Sequence, residues 1–295
     1  MAIPMQENTQ AVVAKAIESL GEIGTLPETT TRIIEVVEDP KGTTDQLNEV
    51  MSHDPALAAR VLKLVNSAFY GLPGQVSELR RAIVLLGQAA IRDVAISTSL
   101  GHMFSVQPVP GLFDARDLWK HCIAVALVAK KIARSLRTPA RENELFLAGL
   151  IHDLGLIVER QTVPKELAEV CRRAEAGEGN FLDLEQDILG ATHQDFGHAL
   201  TLKWRFPHDL RSGVGYHHNP EAVSDDSRWL ASTLRCADIL CCRHGVGFTL
   251  VAKGLDLSPA LLDSLGLTMD PSPEILDGLD HDIEEAEAIL GLVER

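Results

Sequence analysis

An imidazole and a carboxylate stand side by side, His152 and Asp153, inside a run from Phe146 to Val158 that is otherwise almost wholly apolar. Burying the two without partners costs several kcal/mol or shifts their ionisation, so the fold has to satisfy them. A metal ion would do so. The residues able to complete such a site are His121 before the pair and His193, His217, His218 and Asp238 after it, each within or beside an apolar stretch. Neutral imidazole and carboxylate are first-choice ligands for zinc, manganese, iron and nickel. Neighbouring residues on a helix point about 100° apart, so His152 and Asp153 can both reach one ion lying between their directions. His121, His152, Asp153 and Asp238 suffice for one ion. Adding His193, His217 and His218 permits a second ion nearby, the arrangement that supports metal-assisted hydrolysis.

Taken singly, these residues say less. A lone histidine such as His121 or His193 is more often an ordinary hydrogen-bonded residue, and Asp238 could equally cap a helix or pair with Arg235. The set together carries the reading, while His53, His102, His198, His208, His244 and His281 are read as ordinary.

The elements that must position these groups are helical. No run alternates apolar and polar residues for more than a few positions, so the fold class is all-α. Ala11 to Ile23 is amphipathic, and Leu26-Pro27 opens a second helix that ends near Asp39-Pro40. Thr43-x-x-Gln46 reads as a capping box, and Asp54-Pro55 as an N-cap followed by proline at N1. Tyr70 to Gly74 turns the chain, Ser77 caps a helix to Leu86, Gly87 interrupts, and Ala89 to Met103 continues. Ser105 to Asp114 is the best boundary. Beyond it, helices are expected over Asp117 to Ser135 with His121, Glu142 to Val158 with the His-Asp pair, Pro164 to Ala176, Leu182 to Leu202 with His193, Leu210 to His218, and Trp229 to Arg243. Residues 1–110 and 111–250 then form two helical parts, and 251–295 an acidic tail whose apolar stripe packs on the body.

Composition narrows the function classes. The chain has 295 residues, 45% of them hydrophobic, enough to bury a sizeable core. No run of about 18 apolar residues appears and the start is neither basic nor apolar, which argues against membrane spanning and secretion and for the cytoplasm. Five cysteines without CxxC spacing read as buried thiols, with a vicinal Cys241-Cys242 disulfide as the alternative. The net charge of −15 disfavours general DNA binding. From Gly254 to Arg295, 11 acidic residues face one arginine, so this tail holds −10 of it. Pro55 to Asp93 is instead locally +3, a stretch that a solvated helical face explains as well as a binding patch does.

With these residues in view, the sequence resembles the HDOD family, a signalling-associated branch of the HD superfamily of metal-dependent phosphohydrolases. The motifs, spread from Leu20 to Asp238, are Leu26-Pro27, Asp54-Pro-Ala-Leu57, Val65-Asn66-Ser67-Ala68-Phe69-Tyr70-Gly71, Ala82-Ile-Val-Leu-Leu-Gly87, Leu118-Trp-Lys-His121, the Phe146 to Gly155 segment, Thr192-His193-Gln-Asp-Phe-Gly197, Trp204-Arg-Phe-Pro207 and Tyr216-His217-His218-Asn-Pro220. The resemblance implies a helical N-terminal subdomain joined to a degenerate HD-like one, and an output or adaptor role in bacterial signalling, mostly without catalysis. It carries the superfamily's metal ligands onto His121, His152, Asp153 and Asp238, and those of its cyclic-dinucleotide phosphodiesterase branch onto His193, His217 and His218. That branch has a lysine three positions after its aspartate, where Leu156 stands here, and a Gly-Tyr-Pro motif that Asn219 to Val223 does not reproduce. The expectation is therefore a regulatory module that binds a signalling protein through Asn66, Ser67, Tyr70, Arg80 and Arg81, with one or two divalent ions (Fe, Mn, Zn or Ni) in the HD-like half. The alternative is a phosphohydrolase of a nucleotide or cyclic dinucleotide, and a nucleotide second messenger is the candidate small ligand. DNA binding near Arg60 to Arg92 is the weaker third reading.

Overall fold

A computed structural model describes residues 7–67, 70–72, 74–104, 108, 112–138, 141–267 and 270–290. Among them there is no β-strand, and the helices are α1 (Glu7–Ser19), α2 (Glu28–Glu38), α3 (Thr44–Ser52), α4 (Pro55–Val65), α5 (Leu79–Leu86), α6 (Gln88–Ser99), α7 (Ala115–Ser135), α8 (Glu142–Ile151), α9 (Leu154–Thr162), α10 (Pro164–Glu175), α11 (Phe181–Leu189), α12 (His193–Lys203), α13 (His208–Tyr216), α14 (Asp225–His244), α15 (Pro259–Ser264), α16 (Ser272–Ile275) and α17 (Leu279–Leu290). Among the described residues no helix is long and apolar enough to cross a membrane.

The chain divides into two compact units. One joins α1 to the segment Met103–Ile283, and the other joins Thr25–His102 to the end of α17 from Glu284. The division falls between His102 and Met103, and α1 belongs with the histidine-bearing unit. There it packs on α9 and α12, with Thr9 Oγ1 donating to the Gly190 carbonyl at 2.9 Å. The proposed boundary loop falls in part on residues 105–107 and 109–111, outside the described residues.

In the second unit the local signals act as read. Thr43 and Gln46 make the capping box that starts α3, and Asp54 accepts from Leu57 N–H at 2.9 Å to start α4. At α5 the structure differs: Glu78 is the N-cap, with no side-chain cap bond, in place of Ser77. Gly87, at φ 85°, ends α5 and leads into α6.

Two expected long helices are broken, and both breaks matter. Glu142 to Val158 is split into α8 and α9 at His152-Asp153, where Asp153 leaves helical geometry at φ −103° and ψ 16°. Gly155 follows because α12 crosses there: a Cβ on it would sit 1.8 Å from the His193 carbonyl oxygen. Leu182 to Leu202 is likewise split. Gly190 closes α11 in the left-handed region at φ 76°, and Thr192 with Asp195 forms a capping box that starts α12 at His193. In the same unit α7 runs for 21 residues with most of them buried, against α8 and α14.

The tail is helical, with Pro259 at the first position of α15 and Ser258 capping it through Leu261 N–H at 3.2 Å. Lys131 reaches Asp282 and the Asp277 carbonyl, and Arg243 reaches Asp256 and Asp270. All five cysteines are free, so the vicinal disulfide is set aside.

Candidate metal centre

The seven predicted ligands meet in one place because each stands at a helix end or on a buried face. α7 presents His121, the α8–α9 joint His152 and Asp153, the first turn of α12 His193, the end of α13 His217 and His218, and the middle of α14 Asp238. Six of them are at most 1% exposed, and His218 is 8% exposed. The ligand atoms form two groups within 4.8 Å, one of Asp153, His193, His217 and His218, the other of His121, His152 and Asp153. Asp153 is common to both, and Asp238 joins the second through His121.

The hydrogen bonds fix which nitrogens are free. Nδ1 of His152 donates to the Gly149 carbonyl at 2.8 Å, that of His217 to Val214 at 2.8 Å, and that of His121 to Val246 at 3.2 Å. A carbonyl can only accept, so these three Nδ1 atoms carry hydrogens and a neutral ring leaves Nε2 bare. Nδ1 of His193 faces both Glu185 oxygens at 2.9 and 3.0 Å. The Nε2 atoms then point at carboxylate oxygens: His152 to Asp153 Oδ2 at 3.2 Å, His193 and His217 to Asp153 Oδ1 at 3.4 and 3.5 Å, and His121 to Asp238 Oδ1 at 3.1 Å. Lone pairs facing lone pairs across such distances repel unless a cation or extra protons lie between them.

Electrostatics express the same demand. Burial disfavours a charge on His152, yet the Asp153 carboxylate beside it more than offsets this and raises its pKa well above the ordinary value. Burial likewise opposes ionisation of Asp153, but His152 and the neighbouring rings hold its pKa well below the usual range. Burial also opposes the Asp238 charge, and the His121 contact lowers its pKa nonetheless. Burial pushes His217 down and His218 well down, keeping both rings neutral. Among the described residues, Nε2 of His152, both oxygens of Asp153, both ring nitrogens of His218 and Oδ2 of Asp238 are buried with no hydrogen bond. Nitrogen and oxygen donors that converge without hydrogen bonds fit a divalent cation, which would take the place of the proton that Asp153 otherwise holds on His152.

Supporting residues escaped the sequence reading. Glu185 also accepts from the His193 backbone N–H at 3.3 Å, so it sets both the position and the orientation of that ring. Glu159 is fully buried, and among the described residues its carboxylate has no hydrogen-bond partner, with Glu185 and His193 as its nearest charged neighbours. Burial pushes both carboxyls well above the ordinary range. Their only sequence signal is place: Glu185 follows Phe181 by four residues on the apolar side of α11, and Glu159 directly follows the apolar run of α9. Gly247, at φ 64°, allows the chain to pass His121, since a Cβ there would lie 2.2 Å from the Asp117 carbonyl oxygen. Asp238 does not pair with Arg235, whose guanidinium instead donates to the His218 carbonyl.

The residues expected at a partner surface divide. Asn66 accepts from Val76 N–H and donates to the Val76 carbonyl, both at 2.7 Å, and to the Leu62 carbonyl at 2.8 Å. Ser67 donates to the Leu64 carbonyl at 2.7 Å. Their polar atoms brace the loop after α4, with Asn66 itself exposed. Ala68, Phe69 and Pro73 lie outside the described residues, and Tyr70 is half-buried. Arg80 is exposed and paired with Asp45, Arg81 is exposed, and Arg92 from the same basic stretch is buried against Asp93 and Glu38.

Fold and site together define an all-helical protein with a buried histidine–aspartate cluster that could hold a metal ion. The family model for the HDOD domain matches residues 23–220, and the chain belongs to the HDOD family. It is similar over 98% of its length to an HDOD domain protein of unknown function from Geobacter sulfurreducens, with 25% identity, a TM-score of 0.73 and 99% of that chain covered. A Shewanella amazonensis SB2B protein, provisionally named a phosphohydrolase, shares the fold at 24% identity and a TM-score of 0.70, with 95% of this chain and 98% of that one covered. A curated relative, an uncharacterized protein of Treponema pallidum (strain Nichols), is 24% identical over 239 residues, 80% of this chain, and the chain spans 45% of that relative's length.

Proposed function

We propose that this chain is a cytoplasmic output module of bacterial signal transduction that works by binding a signalling protein, and that its buried centre holds one or two divalent ions for sensing or structure without turnover. The observation that carries this reading is the closure of the centre: His121, His152, His193 and His217 are wholly buried, and Leu156, where an active relative would place a lysine, is buried too. A phosphodiester has no exposed ligand atom to approach, since both ring nitrogens of His218 are buried as well. The nearby cleft of about 650 Å³, beside the Gly247 turn, is lined by Asp114, Asp117 and Glu175 against Lys253, the wrong balance for a phosphate. For the partner, α5 offers Arg81 with Val84 and Leu85, which are 71% and 52% exposed, on one unit of the molecule. The acidity of the chain speaks against DNA as that partner.

A second reading, a metal-dependent phosphohydrolase of a nucleotide or cyclic dinucleotide, is favoured by Asp153 being shared between two ligand groups. Elemental analysis of the purified protein, followed by phosphodiesterase assays with manganese or iron, separates the two. The expected result is bound metal, lost in His152→Ala, with no hydrolysis above that variant's background. Turnover that disappears in His152→Ala replaces the first reading with the second, and a wild type without metal removes the ion from both.

A further inference from the structure

Cys242 lies one turn after Asp238 on α14, and residues four apart share a helix face. Its Sγ is 3.4 Å from Asp238 Oδ1, the oxygen that also lies 3.1 Å from His121 Nε2. The ligand atoms of His121, Asp238 and Cys242 fall within 4.8 Å of one another. A second observation points to a ligand there: Oδ2 of Asp238, a residue 1% exposed, is buried with no hydrogen bond. Zinc and cobalt accept imidazole, carboxylate and thiolate together, whereas manganese and magnesium favour oxygen.

We infer that Cys242 is a metal ligand, and that with His121 and Asp238 it forms a mixed nitrogen, oxygen and sulfur site for a thiophilic divalent cation, selecting zinc over manganese. The inference rests on the reading of the centre as metal-holding. The charges balance, since one carboxylate and one thiolate neutralise the ion while His121 keeps its Nδ1–H on the Val246 carbonyl and offers Nε2 as the uncharged donor. On binding, the metal–sulfur bond replaces the S–H bond and the proton leaves to solvent. The competing arrangement, a thiol donating to Asp238, has the same geometry and forms no metal–sulfur bond.

Titration of the full chain with Co²⁺ under reducing, oxygen-free conditions distinguishes them, read by bound cobalt and by the near-ultraviolet thiolate-to-cobalt charge-transfer band. The expected result is a band in the wild type and in Cys122→Ser, whose thiol lies against His152 and outside the His121, Asp238 and Cys242 group, and none in Cys242→Ser. Zinc-over-manganese preference in competition should fall about ten-fold in Cys242→Ser. Cobalt bound without the band, or a band that survives Cys242→Ser, overturns the thiol ligand and leaves the centre standing. A wild type that binds no cobalt overturns both, and the wild-type spectrum decides without relying on any variant to fold.

Discussion

The His152-Asp153 joint and the Asn66 loop are both rich in polar residues set among apolar ones, and both carry family motifs, but their polar atoms end differently. In the loop after α4 the Asn66 side chain makes three hydrogen bonds to backbone groups at 2.7 to 2.8 Å. At the joint, both Asp153 oxygens and His152 Nε2 make none, although they are more deeply buried. The loop is complete as it stands. The joint is arranged as though for a cation, with Nδ1 of His121, His152, His193 and His217 tied down so that Nε2 faces inward. Motif strength in the sequence does not separate the two, whereas an account of unsatisfied buried atoms does.

The sharpest way to break this comparison is to remove the shared ligand. Asp153→Ala should weaken metal binding about a thousand-fold, more than the 10–100-fold typical of outer partners, because both ligand groups use Asp153. Elemental analysis and competition with a chelator measure it. If the variant keeps its metal, the ion lies elsewhere and the contrast with the loop collapses. Asn66→Ala should do the opposite, lowering stability by about 1–3 kcal/mol through the unpaired Val76 groups while leaving metal content unchanged. Denaturant melts and the same elemental analysis follow both quantities, and a loss of metal in Asn66→Ala contradicts the division. Glu185→Gln tests the support behind one ligand. It keeps the shape but weakens the hold on His193 Nδ1, so metal affinity should fall about ten-fold with little change in secondary structure by circular dichroism.

Much of this was legible in the sequence, and the failures have physical causes. The all-helical class followed from the absence of alternating runs, and the starts of α3 and α4 from capping residues and a proline position, which act locally. The break at His152-Asp153 was not legible. The apolar pattern runs through it, and the cause is distant in sequence, the backbone of His193 lying against Gly155. The break before His193 was written locally, in Gly190 and in Thr192-x-x-Asp195, but the apolar periodicity on either side masked it. The seven ligands stood out because charged and imidazole groups are conspicuous in apolar runs. Glu159 and Glu185 did not, since a glutamate on an amphipathic helix is exposed by default and only packing reveals otherwise. The bracing role of Asn66 was hidden for the converse reason, since its partners at Val76 lie ten residues away and only the folded loop brings them to its side chain.

Glu159 supplies the smallest expected effect and the finest test, because it is buried at the edge of the centre yet has no ligand role. Burial, with the Glu185 charge added to it, raises its carboxyl well above the ordinary range, so the folded chain holds this proton to higher pH than the unfolded chain does. Above the unfolded value of about 4.3 the unfolded state binds fewer protons. Stability from this group is therefore full below that pH and falls as pH rises toward the folded value. Glu159→Gln removes the ionisation, and its amide can donate to Glu185. The variant should melt a few degrees higher than the wild type at pH 7, with the gap closing near pH 4, as thermal melts across that range would show. A variant that melts lower at pH 7, with an unchanged pH slope, would mean that Glu159 is ionised and paired in the folded protein. The set of groups awaiting a cation would then extend one residue further along α9.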